Sequence, residues 1–200
     1  MLEIVKWLAS LDKTILLLIN QSLANPVTDS IMPFITADLH LKIFYGFCLF
    51  MILWKGDKRL RFAVIASLIT VAISDQLSSS VLKPLFARPR PCRDLEVHLL
   101  VACGSGFSLP SSHAANLFGQ AFLFRTIAPK SAKYLIPPAV VVALSRVFVG
   151  VHYPFDIIVG AALGTLVGFG ISQIFIRFLP NFHGAEAYID VPKSAANNNL

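Results

Sequence analysis

The chain has 200 residues, of which 56% are hydrophobic and only 14% are charged, and its mean hydropathy is +0.69. Soluble domains carry about 25% charged residues, so this composition excludes an ordinary soluble domain and indicates lipid as the solvent. The formal net charge is +6, which in a membrane protein bears on orientation, and we expect no nucleic-acid partner.

The N-terminal stretch 1–35 contains short apolar runs interrupted by Asn20, Asn25, Pro26 and Asp29. This pattern favours one or two amphipathic helices at the membrane interface, with a short additional membrane span as the alternative. The stretch lacks a small-residue cleavage site after a long apolar core, so we do not interpret it as a removable signal peptide.

Five later segments are apolar enough to cross a bilayer, which requires about 20 residues. They cover 36–54, 62–82, 112–128, 134–151 and 155–178. The predicted fold is therefore all-α: a polytopic membrane bundle of about five helices, forming one domain over 36–180. The polar segment 181–200 is predicted to be a disordered tail.

Basic residues between these segments predict the orientation. Under a five-span topology one side of the membrane carries Lys55, Lys58, Arg59, Arg61, Arg125, Lys130, Lys133 and Arg177. Loops rich in Lys and Arg remain in the cytoplasm. Loop 83–111 and the turn 147–154 are therefore expected to face the periplasm or the cell exterior, with the protein in the inner (cytoplasmic) membrane.

Ionisable residues inside or at the ends of membrane spans are costly and usually functional. Lys83, His113, Arg146, His152 and Asp156 all fall at the outer ends of the predicted spans. Lysine and arginine there would suit a phosphate group. The structural alternatives are a solvated basic loop with snorkelling side chains, and an ion pair between Arg146 and Asp156.

Two local signals refine this picture. Pro84 follows Lys83 directly, which predicts that the second span ends at Lys83. Ser111 or Ser112 is a suitable N-cap for the next helix, and the free amides of a helix N-terminus bind anions. An ordinary capped helix with an interfacial histidine, His113, is the alternative.

Three motifs follow one another along the chain. The first is Lys83 followed by PLFARP and Arg90-Pro91; the second is Pro110-Ser111-Ser112-His113. The third is Ser145-Arg146, then VFVGV, His152, YPF and Asp156. Together the three motifs resemble the type 2 phosphatidic acid phosphatase superfamily of membrane lipid phosphatases. The resemblance covers about 62–178, and Ser112 departs from it because glycine is usual at that position.

The resemblance implies a role for each matched residue. His152 would attack phosphorus and form a phosphohistidine, Asp156 would orient His152, and His113 would act as general acid and then as general base. The phosphate would be bound by Lys83, Arg90 and Arg146, assisted by the amides of Ser111, Ser112 and His113. The family uses no metal, and we expect no cofactor.

Three residues outside the motifs also carry expectations. Asp75 lies on a polar stripe of the second span, and we expect it to support the site without touching the substrate; a helix-packing hydrogen bond is the alternative. Cys92 and Cys103 lie in the predicted outer loop. In an oxidising compartment they could form a disulfide, and free thiols are the alternative.

The predicted function is hydrolysis of a lipid phosphate, with the lipid entering sideways from the bilayer. The family's substrates include undecaprenyl diphosphate, phosphatidylglycerol phosphate, phosphatidic acid and lipid A phosphates, of which undecaprenyl diphosphate is favoured here. A non-catalytic lipid-phosphate binder or flippase is the alternative. A vanadate haloperoxidase, which shares the motifs, is disfavoured because those relatives are soluble. The oligomeric state is left open.

Overall fold

The computed structural model describes residues 2–178, and this part of the chain is helical with connecting loops and without strands. The helices are α1 (Leu2–Leu17), α2 (Pro26–Thr36), α3 (Asp38–Lys55), α4 (Lys58–Gln76), α5 (Lys83–Phe86), α6 (Pro91–Asp94), α7 (Ser112–Ile127), α8 (Ala132–Phe148) and α9 (Pro154–Phe178). Turns of π-helix follow α1 (Leu18–Ser22) and α4 (Leu77–Leu82), and a 3₁₀ turn (Pro129–Ser131) precedes α8. The predicted all-α membrane bundle is confirmed.

Length and apolarity identify the helices that can cross a membrane. Within the described residues three stretches qualify: Lys58–Asp94, Pro129–Phe148 and Pro154–Phe178. A fourth is possible if α2 and α3, which meet at an angle of 54°, form one broken span. Helix α7 has 16 residues, fewer than a full span needs, so the predicted number of five spans remains a prediction.

The outer surface of the bundle is apolar. Phe44, Phe47 and Trp54 of α3 are exposed, as are Leu166 and Phe169 of α9. A soluble monomer rarely exposes large side chains in such continuous rows. These helix faces therefore contact lipid.

Helix α7 occupies the centre of the bundle and packs closely against α9. Gly160, Gly164 and Gly168 recur at every fourth residue and so share one face of α9. A Cβ atom at Gly164 would lie 2.0 Å from the carbonyl oxygen of Ala115, and one at Gly168 would lie 2.1 Å from that of Gly119. Small residues at such spacing let two membrane helices approach to backbone contact.

This close packing also aligns the first turns of the two helices. The amide of Ser111, immediately before α7, donates a hydrogen bond of 3.0 Å to the carbonyl oxygen of Asp156 in α9. Two of the three sequence motifs are thereby joined through their backbones. Their relative position depends on the glycine contact further along the same helix pair.

A buried polar network links α3, α4 and α7. The side chain of Gln120 accepts a hydrogen bond of 2.5 Å from the Ser67 hydroxyl and donates one of 3.1 Å to the Ser67 carbonyl. The Tyr45 hydroxyl lies 2.8 Å from the hydroxyl oxygen of Ser67. Each polar group is thus paired away from water, as stability in a lipid environment requires.

The N-terminal segment is helical, as predicted, and it also contributes buried polar contacts. Asn20, fully buried, donates to the carbonyl oxygens of His98 at 2.8 Å and Phe148 at 2.7 Å. It also accepts a hydrogen bond of 2.8 Å from the amide of His98. This segment therefore connects the loop after α6 to the end of α8 through hydrogen bonds. Its expected location at the membrane interface remains a prediction.

The predicted end of the second span at Lys83 is wrong, because helical structure continues to Phe86. The wider turn Leu77–Leu82 precedes Lys83, whose amide bonds to the carbonyl oxygen of Ser78. A π turn shifts the backbone hydrogen-bond register, and Pro84 then occupies the first turn of α5, where its missing N–H is tolerated. The helix ends at Ala87, which has φ of 45°. The predicted disordered tail lies outside the described residues.

Candidate active site

His152 and Asp156 form the centre of the site. The side chain of His152 is 2% exposed and that of Asp156 is fully buried. Nδ1 of His152 lies 3.4 Å from Oδ2 of Asp156. Their spacing of four residues spans the turn that leads into α9, where Pro154 begins the helix. If Nδ1 carries the proton shared with Asp156, Nε2 is left with its lone pair available for attack.

Burial determines the protonation state of His152. Burial lowers the pKa of His152 to about 4, although the hydrogen bond and charge of Asp156 act in the opposite direction. The imidazole is therefore neutral at neutral pH. Nucleophilic attack requires a neutral ring, since a protonated ring has no free lone pair.

Several other groups hold the carboxylate of Asp156. Oδ2 accepts hydrogen bonds from the Ser108 hydroxyl and, at 2.8 Å, from the amide of Tyr153. Oδ1 accepts a hydrogen bond of 2.8 Å from Arg88. An ion pair between Arg146 and Asp156 was one alternative from the sequence. In the structure Asp156 pairs with Arg88 instead.

Arg88 bridges Asp156 to a second buried carboxylate. One guanidinium nitrogen contacts Asp156, and the other lies 2.6 Å from Oδ2 of Asp12 in α1. Asp12 is fully buried, and its Oδ1 accepts a hydrogen bond of 2.9 Å from the amide of Phe155. The guanidinium of Arg88 also lies over the ring of Tyr153, 3.9 Å from the ring centre.

Arg90 is held by the backbone of the surrounding loop. It donates hydrogen bonds to the carbonyl oxygen of Gly106 at 3.0 Å and to that of Val151 at 3.4 Å. Cys92 and Cys103 are joined by a disulfide in this structure. The disulfide closes the loop segment immediately before Gly106, so it restrains the chain that positions Arg90.

Arg146 is oriented by the bend between α2 and α3. It donates a hydrogen bond of 2.7 Å to the hydroxyl of Thr36, the last residue of α2. Its Nε is buried and has no hydrogen-bond partner. An unpaired, buried guanidinium nitrogen carries a free-energy cost, which a bound phosphate oxygen could remove.

Lys83 contacts the side chain at the position where the family usually has glycine. Its ammonium donates a hydrogen bond of 3.0 Å to the hydroxyl of Ser112. Ser78 donates to the same oxygen at 2.9 Å, and the Ser79 hydroxyl lies 3.1 Å away. Ser112 therefore adds a polar partner for Lys83 that a glycine could not provide.

Asp75 is linked to the cluster of Lys83 and Ser112 through Ser78 and through its charge. Its backbone carbonyl oxygen lies 3.1 Å from the Ser78 hydroxyl, whose single proton goes to Ser112, and its negative charge acts on Lys83. The supporting role itself remains a prediction.

The expected contribution of the Ser111 amide to anion binding is wrong, because the carbonyl oxygen of Asp156 already accepts its hydrogen bond. The Ser111 hydroxyl is the N-cap of α7 and accepts from the amide of Ala114 at 3.5 Å. The amides of Ser112 and His113 lie in the first turn of α7, where a helix offers no internal acceptor. They remain the candidate anion donors of this helix.

His113 contacts the start of α3. Its Nε2 is buried and lies 2.9 Å from Oδ1 of Asp38, but without the alignment of a hydrogen bond. A cavity of about 190 Å³ opens beside His113 between α3, α4 and α7. Its lining includes Asp38, Tyr45 and Asn116.

The predicted site residues act on one another electrostatically. The charge of Lys83 interacts with those of Arg90 and Arg146, and His113 interacts with Arg146 and His152. The three motifs therefore converge at one end of the bundle. Among the described residues no group of three or more His, Cys, Asp or Glu side chains could hold a metal ion.

Sequence reasoning missed five residues of this site: Arg88, Asp12, Thr36, Asp38 and Ser108. Arg88 was visible only as part of a basic loop, and Asp12 lies in α1, far from the motifs along the chain. A buried carboxylate in an apolar helix is one signal that could have identified Asp12. Thr36 and Ser108 have no distinguishing local pattern.

Comparison with known proteins identifies the family of this chain. The family model described as the PAP2 superfamily matches residues 59–179. A lipid A 4′-phosphatase of Bacteroides thetaiotaomicron is 30% identical over 175 residues, which cover 83% of this chain and 76% of that protein. Undecaprenyl-diphosphatase BcrC of Bacillus subtilis is 31% identical over 156 residues, covering 77% of this chain and 76% of that protein.

A solved membrane protein shares the fold. The PAP2-type phosphatidylglycerolphosphate phosphatase of Bacillus subtilis superimposes with a TM-score of 0.63 and 26% identity, covering 88% of this chain and 89% of that structure. The family match includes all three motifs and α4 to α9, whereas α1 to α3 lie outside it. The chain belongs to the PAP2 superfamily.

Proposed function

We propose that the protein is a lipid phosphatase that hydrolyses a phosphomonoester or diphosphate of a membrane lipid through a phosphohistidine at His152. The observation that carries this proposal is the buried His152 with its Nδ1 facing Asp156, within a cluster of cationic side chains. Burial keeps the His152 ring neutral by lowering its pKa. A site that only binds phosphate has no need for a neutral nucleophilic imidazole with an oriented tautomer.

In the first step Nε2 of His152 attacks phosphorus and the bond from phosphorus to the leaving oxygen breaks. Asp156 stabilises the positive charge that develops on the ring by accepting the Nδ1 proton in a hydrogen bond. His113 enters this step protonated, a state that the nearby Asp38 carboxylate and the charge of the bound phosphate favour, and it gives this proton to the leaving oxygen. The cavity beside His113 then accommodates part of the departing lipid.

In the second step water attacks phosphorus and the bond to Nε2 breaks. His113, neutral after the first step, accepts a proton from the water and returns to its starting state. Inorganic phosphate leaves, and His152 is again neutral. The protons therefore balance over the cycle without any further reactant.

Charge on the transferring phosphoryl group is stabilised by Lys83, Arg90 and Arg146. Phosphoryl transfer depends mainly on positioning and on charge stabilisation of the phosphoryl oxygens. The unpaired Nε of Arg146 and the first-turn amides of Ser112 and His113 supply further donors. We therefore expect the reaction to proceed without a metal ion.

The names of the relatives support two lipid substrates. The lipid A 4′-phosphatase aligns over more of this chain than the undecaprenyl-diphosphatase does. Undecaprenyl diphosphate, favoured from the sequence, and a lipid A 4′-phosphate therefore become the two principal candidates. They differ in the leaving group, which is a prenyl monophosphate in one case and a glucosamine hydroxyl in the other.

The topology supports a site on the outer side of the cytoplasmic membrane. The site is built at the ends of α4 and α8 and the starts of α7 and α9. The opposite ends of these helices carry Lys58, Arg61, Arg125, Lys133 and Arg177. The positive-inside rule assigns that opposite end to the cytoplasm.

Phosphate release by the purified protein in detergent tests the proposal. The panel contains undecaprenyl diphosphate, lipid A, phosphatidylglycerol phosphate and phosphatidic acid, each assayed with EDTA for the wild type and His152→Ala. We expect metal-independent release from at least one lipid, and none with the variant. Lipid binding without release from any lipid would instead support a binder or flippase.

A further inference from the structure

We propose that Asp12 is a positioning residue for the phosphatase reaction, which prevents Arg88 from taking both carboxylate oxygens of Asp156 and so keeps one oxygen available to His152. This inference rests on the proposed function of His152. It assigns a role to α1, which lies outside the matched family region.

The first observation is that the two terminal nitrogens of Arg88 contact two different carboxylates. One terminal nitrogen lies 2.8 Å from Oδ1 of Asp156 and the other lies 2.6 Å from Oδ2 of Asp12. Arginine and a carboxylate often pair through two parallel hydrogen bonds. Here the second hydrogen bond goes to a different carboxylate, so Arg88 contacts Asp156 through Oδ1 alone.

The second observation concerns Oδ2, the carboxylate oxygen of Asp156 that Arg88 does not contact. Its Oδ2 is the oxygen that faces Nδ1 of His152 and that accepts hydrogen bonds from Ser108 and the Tyr153 amide. A bidentate pair with Arg88 would place a cationic donor on this same oxygen. That donor would compete for the oxygen that orients His152.

The third observation is that Asp12 is held rigidly in position. Its carboxylate is fully buried, and its other oxygen accepts the amide of Phe155, three residues after His152. The Tyr153 ring lies against the guanidinium of Arg88. An ionised buried carboxylate persists only where partners compensate its charge, and Arg88 supplies that charge.

Charge balance gives the inference a direct test. The three groups Asp12, Arg88 and Asp156 together carry one negative charge when both carboxylates are ionised. Asp12→Asn removes that net charge while keeping an oxygen that can accept the Phe155 amide. Arg88→Gln removes the positive charge and leaves both carboxylate charges uncompensated, and the double variant restores the net charge of the wild type.

Single-turnover and steady-state kinetics of wild type and variants are compared on the lipid that the wild type hydrolyses best. Asp12→Asn is expected to lower kcat about 10- to 100-fold, the range for a mispositioned catalytic group, with little change in KM. The double variant, in which no arginine competes for Asp156, is expected to recover kcat to within about 5-fold of the wild type.

Asp29→Asn is the matched control, because Asp29 is another N-terminal carboxylate, and it pairs with the partly exposed His98 rather than with Arg88. It is expected to keep the wild-type kcat. Thermal unfolding of every variant in detergent separates folding from catalysis. If Asp12→Asn keeps the wild-type kcat, or if the double variant is slower than both single variants, the inference is overturned.

The outcomes also separate this inference from the proposed function. Phosphate release that persists in His152→Ala would refute the nucleophile itself. Release that depends on His152 but not on Asp12 would refute only the role assigned to Asp12.

Discussion

The ammonium of Lys83 donates a hydrogen bond of 3.0 Å to the hydroxyl of Ser112, the residue that stands where the family motif usually has glycine. Ser78 donates to the same oxygen, so a small hydroxyl network joins the first and second motifs. The departure from the motif therefore adds a contact to Lys83, which we propose binds the phosphate.

Ser112→Gly, which restores the usual family residue, is expected to raise KM about 5-fold, because a hydrogen bond to a charged group contributes roughly 1.5–3 kcal/mol and part of this is screened here. Ser112→Ala should have the same effect, since it also lacks the hydroxyl. Ser80→Ala is the control, because Ser80 bonds to Gln76 and not to Ser112. A rise in KM with alanine but not with glycine would show that backbone freedom, not the hydroxyl, matters.

Thr36 should influence phosphate affinity although it lies outside the matched family region. Its hydroxyl accepts a hydrogen bond of 2.7 Å from Arg146, and Thr36→Val removes this acceptor while preserving shape. We expect KM to rise about 5- to 10-fold with a smaller change in kcat, because a hydrogen bond to a charged group is lost. Steady-state kinetics measure the effect. Thr126→Val, which alters a threonine bonded only to the Phe122 carbonyl, should leave KM unchanged.

The glycine face of α9 should be intolerant of side chains. A Cβ at Gly164 would lie 2.0 Å from the carbonyl oxygen of Ala115, whereas a Cβ at Gly170 meets no atom within 4 Å. We expect Gly164→Ala to destabilise the bundle by about 1–3 kcal/mol, the usual range for overpacking, and to lower the Tm in detergent. Gly170→Ala should leave the Tm unchanged. Equal Tm values for the two variants would contradict the packing described here.

The neutrality of His152 predicts how stability depends on pH. The pKa of His152 is lowered by burial to about 4 in the fold, whereas an unfolded histidine titrates near 6.5. The unfolded chain therefore binds more protons between these values, and stability is lost as the pH falls from about 6.5 towards 4. Charged groups that act on His152 include Asp156, Arg90 and Arg146, so the effect must be isolated by substitution.

Unfolding of the wild type and of His152→Gln, measured from pH 7.5 to pH 4.5, isolates this effect. The stability difference between the two proteins should shift by up to about 3 kcal/mol against the wild type as the pH falls. A constant difference across the range would contradict a neutral, buried His152.

The sequence was sufficient to predict the class of fold and the convergence of the motif residues. Ionisable residues at the ends of apolar segments have few structural explanations, and the motif spacing assigns Lys83, His113 and His152 to the same membrane face. The helix after Lys83 was mispredicted because the π turn that accommodates Pro84 has no simple signature. The glycine spacing on α9 was readable but was not used.

The surroundings of the motif residues could not be predicted in the same way. Asp12, Thr36 and Asp38 reach the site from α1, α2 and α3, and each contacts a partner distant in sequence. Such contacts depend on how the helices pack, and a single sequence carries no pairwise signal for them. The Ser111 amide was misassigned for the same reason, because its acceptor is a backbone carbonyl of α9.

Detection of a phosphohistidine at His152 tests the central claim most directly. A lipid substrate with a labelled phosphoryl group is mixed with the wild type, and the reaction is quenched in alkali within the first turnover, since phosphohistidine survives base and is lost in acid. We expect label on the peptide that contains His152, absent from His152→Ala. Rapid release of labelled phosphate by the wild type, without any labelled peptide at any time, would contradict a covalent intermediate at His152.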